Sequence, residues 1–130
     1  MDIGDIDLME VADNGVMFTL LHPITRAETD IKIKIHGSDS KIYRDAQRAN
    51  QNKRIKGMQK NRNFHMTADE IEIEALNMLA LCTTGWENME KDGKKVPFSP
   101  ENAKLIYKEN PWIREQIEEA IGDRSNFTKK

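Results

Sequence analysis

The sequence contains a single cysteine, Cys82, so no internal disulfide can staple the chain, and this usage fits a reducing, cytosolic setting. Glycines are few and dispersed. None falls into G-x-G-x-x-G or G-x-x-x-x-G-K, which excludes the glycine-rich loops that cradle phosphates. Long apolar runs are missing as well; nothing approaches the ~20 residues that a membrane-spanning helix needs. The three histidines, His22, His36 and His65, are scattered, with no pair at metal-ligand spacing and no second cysteine beside them. These absences exclude any recognisable metal, redox or phosphate-loop chemistry and predict a protein without metal or cofactor. The opening residues Met1-Asp2-Ile3-Gly4-Asp5 are acidic, opposite to a secretory signal.

At 130 residues the chain supports one domain and can bury a core without staples. Its net charge of −2 singles out neither nucleic acid nor membrane, but the charge is sorted along the chain. From Met1 to Asp30 there are seven acids against Arg26 alone. From Lys41 to Arg62 there are eight cations against Asp45 alone. After Asn63 acids again exceed bases, thirteen to nine. Separate acidic and basic blocks suit electrostatic pairing with partners or with further copies of the chain.

The pattern predicts an α+β, mostly α-helical fold: an N-terminal two-stranded β-hairpin and about four helices. Residues 1–14, rich in Asp and poor in large apolar side chains, read as a flexible acidic arm. Residues 15–122 form a single domain, and 123–130 a polar tail. Val16–Leu21 is a short apolar strand closed by Pro23. Ile31-Lys32-Ile33-Lys34-Ile35 alternates apolar and polar residues, the mark of a strand with one buried face. Ser38, Asp39 and Ser40 offer side-chain oxygens to a helix start. The long basic helix that follows has a thin apolar stripe, Ile42, Ala46 and Ala49, and Gly57 is expected to break or fray it. Thr67 and Glu70 form a capping box for a core helix over 68–83. Its predicted buried face is Ile71, Ala75, Met78, Leu79 and Cys82, widened by Ile73, Leu76 and Ala80. Thr84-Gly85 ends this helix, and Lys91-Asp92-Gly93-Lys94-Lys95 is a charged turn. Ser99-Pro100 and Asn110-Pro111 each give a cap followed by proline at the first helical position. Ile113, Ile117, Ala120 and Ile121 line the last helix, and Gly122 stops it.

No catalytic arrangement stands out. Glu70 with Glu74, and Glu115 with Glu119, are carboxylate pairs on polar helix faces, where solvation explains them; acid–base work needs a cleft and separated pKa values. Cys82, on an apolar helix face, reads as buried filler. The Lys41–Arg62 block is the one segment able to meet phosphates. Aromatics near it are only Tyr43 and Phe64, and the chain as a whole is acidic, which favours a solvated or protein-docking face. Lys41, Arg44, Arg48, Lys53 and Arg54 are therefore the candidates for self-association or electrostatic docking. Trp112, Ile113, Ile117 and Ile121 form a closely spaced apolar set, the candidate partner surface for a helix-in-groove contact.

Several residues carry a likeness to a known family. They are His22-Pro23-Ile24-Thr25, the Ile31-x-Ile33-x-Ile35 strand running into Gly37-x-Asp39-Ser40, and Tyr43-Arg44. Further on come Gly85-Trp86, Phe98-Ser99-Pro100-Glu101-Asn102 and Asn110-Pro111-Trp112-Ile113. Over 16–122 the chain resembles the tail assembly chaperones of long-tailed bacteriophages. The resemblance implies a non-enzymatic protein of the host cytoplasm, absent from the mature virion. It implies binding to the tape measure protein, which such chaperones keep soluble, and formation of homo-oligomers. A longer, frameshifted form would recruit the tail tube protein, and Lys129-Lys130 are compatible with an A-rich slippery stretch. The alternative function is a small nucleic-acid-associated regulator that lays the 41–62 helix on phosphates. A membrane is not expected as a partner.

Overall fold

In the computed structural model, residues 1–128 are described. They form a mixed α+β fold that is mostly helical. In chain order the elements are α1 (Leu8–Asn14), β1 (Val16–Leu21), β2 (Glu28–Ile35), α2 (Lys41–Lys60), α3 (Ala68–Leu81), β3 (Thr83–Glu87), β4 (Glu90–Lys91), β5 (Lys94–Lys95), α4 (Pro100–Glu109) and α5 (Pro111–Gly122). Short 3-10 turns flank them at Ile3–Asp5 and Arg124–Phe127.

β1 and β2 pair antiparallel, with Phe18 opposite Ile33 and Val16 opposite Ile35. The alternation in β2 works as the sequence predicts: Ile33 and Ile35 are buried and Lys32 and Lys34 are exposed. The expected two-stranded hairpin is the first part of a three-stranded sheet, because β3 pairs antiparallel with β2, Trp86 opposite Ile33. β3 reads Thr-Thr-Gly-Trp-Glu, with no alternation and a glycine inside it. It is a strand because β2's second edge must place its backbone hydrogen bonds somewhere. The charged turn lies in a tight hairpin, β4–β5, whose Asp92 and Gly93 both have positive φ, 53° and 79°.

The caps act as predicted at three helices. Ser40 Oγ accepts from the Tyr43 N–H, Thr67 and Glu70 form the reciprocal capping box, and Ser99 Oγ accepts from the Asn102 N–H. Asn110 differs. Its side chain makes no cap bond to α5; instead its Nδ2 donates back to the Ile106 carbonyl of α4 at 3.0 Å. Gly57 neither breaks nor frays α2. The Phe64 ring lies where a Cβ on Gly57 would sit, 2.6 Å away, so the glycine makes room for a ring.

Both chain ends carry more structure than the sequence predicts. In the segment read as an acidic arm, residues 8–14 are helical and Ala12 is buried. In the segment read as a polar tail, Phe127 is buried, with its ring on Gly37, where a Cβ would meet it at 2.8 Å. Arg124 fastens this end by two hydrogen bonds to the Asp39 carboxylate, 2.8 and 3.0 Å. Lys129 and Lys130, to which the slippery-stretch reading applies, lie outside the described residues.

The core joins the sheet to α3, α4 and α5 through Leu20, Ile33, Ile35, Leu76, Leu79, Tyr107 and Ile117. Two polar side chains stitch it. Gln116 on α5 pairs with the backbone of Leu21, accepting from its N–H at 2.9 Å and donating to its carbonyl at 2.8 Å. The Tyr107 hydroxyl meets Thr83 Oγ1 at 2.7 Å, and Thr83 donates to the Leu79 carbonyl.

Candidate functional site: a groove between α2 and α3

Ile113, Ile117 and Ile121, three of the four residues expected to form a partner surface, are buried at 4 %, 0 % and 3 % exposure. Trp112 is half-buried and packs on the same core. The C-terminal set therefore mainly closes the domain; Ile121 alone of the three borders a hollow, a small one of ≈ 140 Å³ shared with Tyr43, Ala75 and Met78. The reason is geometric. α5 packs on α4 and also on α3, β1 and the Arg124–Phe127 turn, and its apolar stripe is spent on these contacts.

The apolar surface left open is on α3. Ile71, Ile73, Ala75 and Leu81 are exposed, whereas Leu76, Leu79 and Ala80 are buried, with Cys82 just after the helix. The buried face of α3 is thus turned away from Ile71 and Ala75. The helix is apolar on more than one side, and periodicity alone cannot say which side meets the core. Ile73 and Leu81, with Met78, form one wall of a groove whose other wall is the α2 stripe of Ala46 and Ala49. Its volume is ≈ 340 Å³. Beyond Lys53 the trough continues into a second hollow of ≈ 330 Å³ floored by Phe64 and Met66 and edged by Lys53, Lys56 and Lys60. On the far side of Leu81 lies a third hollow, ≈ 550 Å³, reaching Thr84, Phe98 and Lys104. Leu81 lines both the first and the third, so the apolar surface runs across it.

Glu74 gives the groove its one polar demand. One of its oxygens accepts from Arg54 at 2.6 Å, while Oε2 is buried and no described residue donates to it. A buried acceptor without a donor costs about 1–3 kcal/mol, a local cost at the groove wall.

The five candidate docking cations have different fates. Lys41 pairs with Asp45, and its backbone N–H donates to Asp13. Arg44 is half-buried and its Nε donates to the Asp39 carbonyl at 3.3 Å. Arg54 is held by Glu74. These three serve the fold. Arg48 and Lys53 are exposed and form no ion pair among the described residues, and Lys56 and Lys60, not among the candidates, join them. The set that remains lies further toward the end of α2 than the sequence block suggested. The Lys41–Asp45 pair is four residues apart on one helix and readable in the sequence, whereas Glu74, the partner of Arg54, comes from α3 and only packing reveals it.

The remaining reactive groups are structural. Cys82 is fully buried, and desolvation pushes its thiol up to about 12. Burial likewise raises the Tyr107 hydroxyl, opposed by its bond to Thr83. His36 is buried; its Nδ1 donates to the Ala12 carbonyl, which can only accept, so Nε2 accepts from the Thr84 hydroxyl. Trp86 donates Nε1 to the Val96 carbonyl and meets Phe98 edge-to-face at 5.1 Å. Among the described residues, no three His, Cys, Asp or Glu side chains come together as a metal site, and no helix is long and apolar enough to cross a membrane.

The family model described as YdaY prophage protein matches residues 38–130. The chain belongs to that family. It is thus a phage-derived protein. The YdaY match begins two residues before the Ser40 cap and contains both walls of the groove, α2 and α3, together with α4 and α5. α1, β1 and β2 precede it. The chain matches no curated protein and no solved structure.

Proposed function

We propose that this prophage protein is a tail assembly chaperone that receives an apolar helical segment of the tape measure protein in the α2/α3 groove. The observation that carries the proposal is the groove itself: Ile73 and Leu81 exposed at 58 % and 55 % on a helix whose other face is core. An amphipathic helix laid in such a trough buries its anchors at i, i+3, i+4 and i+7. The phage origin and the resemblance to tail assembly chaperones supply the partner. On this reading the protein is non-enzymatic and acts in the host cytoplasm during tail morphogenesis. A longer form would bring tube subunits to the coated tape measure protein.

The test is co-expression with the tape measure protein of the same prophage. Ile73→Glu and Leu81→Glu alter exposed side chains, so melting should change little. Each should leave the tape measure protein insoluble and weaken its co-purification by tenfold or more, which is about 1.4 kcal/mol. A doubly substituted protein that still keeps its partner soluble would overturn the assignment of the groove.

One observation favours a second reading. No residue of α2 is buried, and Arg48, Lys53, Lys56 and Lys60 all face solvent. A regulator that laid this row on phosphates would bind duplex nucleic acid with a steep salt dependence. Binding that persists after Lys53→Glu and Lys56→Glu would dismiss that reading.

A further inference from the structure

We infer that the α2/α3 groove is also the docking site for the acidic N-terminal segment of a second copy of this chain. The inference concerns the groove named above and takes the tape measure protein as its competitor for that groove, but its first test needs no tape measure protein.

Residues 1–10 combine two features that seldom coexist in an isolated surface segment. Ile3, Ile6 and Met9 are exposed at 79 %, 50 % and 49 %; Ile3 lies in a 3-10 turn, Ile6 just after it, and Met9 in the first turn of α1. Asp2 precedes them, and Asp5 and Asp7 stand between them. The segment is thus both apolar and acidic. Single exposed apolar residues need no explanation, but three within seven residues form a surface that gains by being covered.

The groove matches it in its apolar walls and at its cationic end. Ala46 and Ala49 face Ile73 and Leu81 across it, with Glu70 and Glu74 alongside. Where it continues along α2, Phe64 and Met66 form the floor, and Lys53, Lys56 and Lys60 edge it. These lysines form no ion pair among the described residues. Three aspartates beside three isoleucine or methionine anchors therefore meet three lysines beside an apolar trough. The cationic end also excludes a basic occupant.

The fold argues for docking between copies. α1 is held at the start of α2: Ala12 is buried, its carbonyl accepts from His36, and Asp13 accepts from the Lys41 N–H. Lys53 to Lys60 lie 12 to 19 residues further along α2, about 18–28 Å by helix rise. The first seven residues of the same chain would have to run back along nearly the whole helix, and the exposure of Ile3 and Ile6 shows that they do not. A second copy meets no such constraint. Because each copy offers one segment and one groove, the contact is head-to-tail and can extend into a chain of copies or close into a ring.

The experiment uses the full chain with Cys82→Ser, and two single-cysteine versions of it, Ile6→Cys and Lys53→Cys. Mixed and treated with a short bis-maleimide, they should give a cross-linked heterodimer. Ile6→Cys mixed with Lys104→Cys, which lies outside this trough, should give at least tenfold less. In sedimentation, Ile3→Asn with Ile6→Asn should weaken self-association tenfold or more without changing the melting temperature. Raising salt from about 0.1 M to about 0.5 M should weaken the unsubstituted protein in the same direction, since the ion pairs are screened. Self-association unchanged by Ile3→Asn with Ile6→Asn would overturn the inference, and if Ile73→Asn then abolished it the interface would be a face-to-face contact of the α3 helices. In a chain carrying both Ile6→Cys and Lys53→Cys, cross-linking that stays within the monomer at high dilution would overturn it in favour of docking in cis. Loss of tape measure binding in the Ile73→Glu and Leu81→Glu proteins stands or falls separately, so the two readings fail distinguishably. If both hold, the Ile3→Asn with Ile6→Asn protein should bind the tape measure protein more tightly, its groove no longer being contested.

Discussion

Gln116 shows how much one side chain can decide. Its amide bonds to both the N–H and the carbonyl of Leu21, as a neighbouring strand would, at a place where the β1–β2 register slips between Thr19 and Leu21. The residue sits in a run of Arg-Glu-Gln-Ile-Glu-Glu that looks like an ordinary polar face, and nothing local marks it as buried. Gln116→Leu keeps the bulk and removes the hydrogen bonds, leaving two partly buried backbone groups without partners. It should lower unfolding free energy by about 1–3 kcal/mol, read as a fall in the urea midpoint at unchanged slope. Gln116→Glu should be worse still, because the carboxylate cannot donate to the Leu21 carbonyl and places a charge in the core.

At the scale of elements, the turn Arg124–Phe127 depends on a contact distant in sequence. The two bonds from Arg124 hold the Asp39 carboxyl below its ordinary value of 3.8, against a smaller opposing effect of burial. A carboxyl whose folded pKa is depressed stabilises the fold above its unfolded pKa, and that contribution fades as pH falls through the folded one. The pair is largely solvated on the arginine side, 66 % exposed, so its contribution to stability is small. Arg124→Met should therefore melt slightly below the unsubstituted protein at about pH 7, and the gap should close as the pH falls below the ordinary carboxyl value of 3.8. A gap that persists at the acid end would show that the arginine acts through packing of its stem, not through charge. Phe127 would keep its place on Gly37 in either case, since apolar burial does not titrate.

For the whole molecule, the single thiol is a built-in probe of cooperativity. Cys82 is fully exposed to no solvent channel in the structure: its exposure is 0 %, and its pKa of about 12 leaves almost no thiolate at neutral pH. It lies where α3 passes into β3, in contact with the shared core. Labelling by a thiol reagent should proceed only through unfolding, with a rate that rises along with the denaturant-induced transition. Cys82→Ser should cost about 1–3 kcal/mol in stability by placing a hydroxyl in the core, and should leave partner binding intact. Fast labelling in native buffer would show that the α3–β3 corner opens locally, independently of the rest.

Much of the architecture was legible because it rests on short-range chemistry. The Ile-Lys-Ile-Lys-Ile alternation, the Thr67–Glu70 box, the Ser99-Pro100 start and the Asp92-Gly93 turn each fix φ and ψ or hydrogen bonds within a few residues, and each holds in the structure. The sorting of charge into acidic and basic blocks is likewise a property of the chain as written. Tertiary structure decided what short windows cannot encode. β3 is a strand because β2 needed a second partner; α1 and Phe127 are ordered because His36 and Gly37 lie waiting across the fold. Most of all, it decided which apolar helix face is core. α3 and α5 each carry enough isoleucine and leucine to serve as core or as surface. α5 turns its stripe into the core against α4, α3 and β1, so a large share of the open apolar surface falls to α3, where the acids of that helix and the cations of α2 border it. Periodicity tells that a face is apolar; only the packing of the other elements determines whether anything is left to cover it.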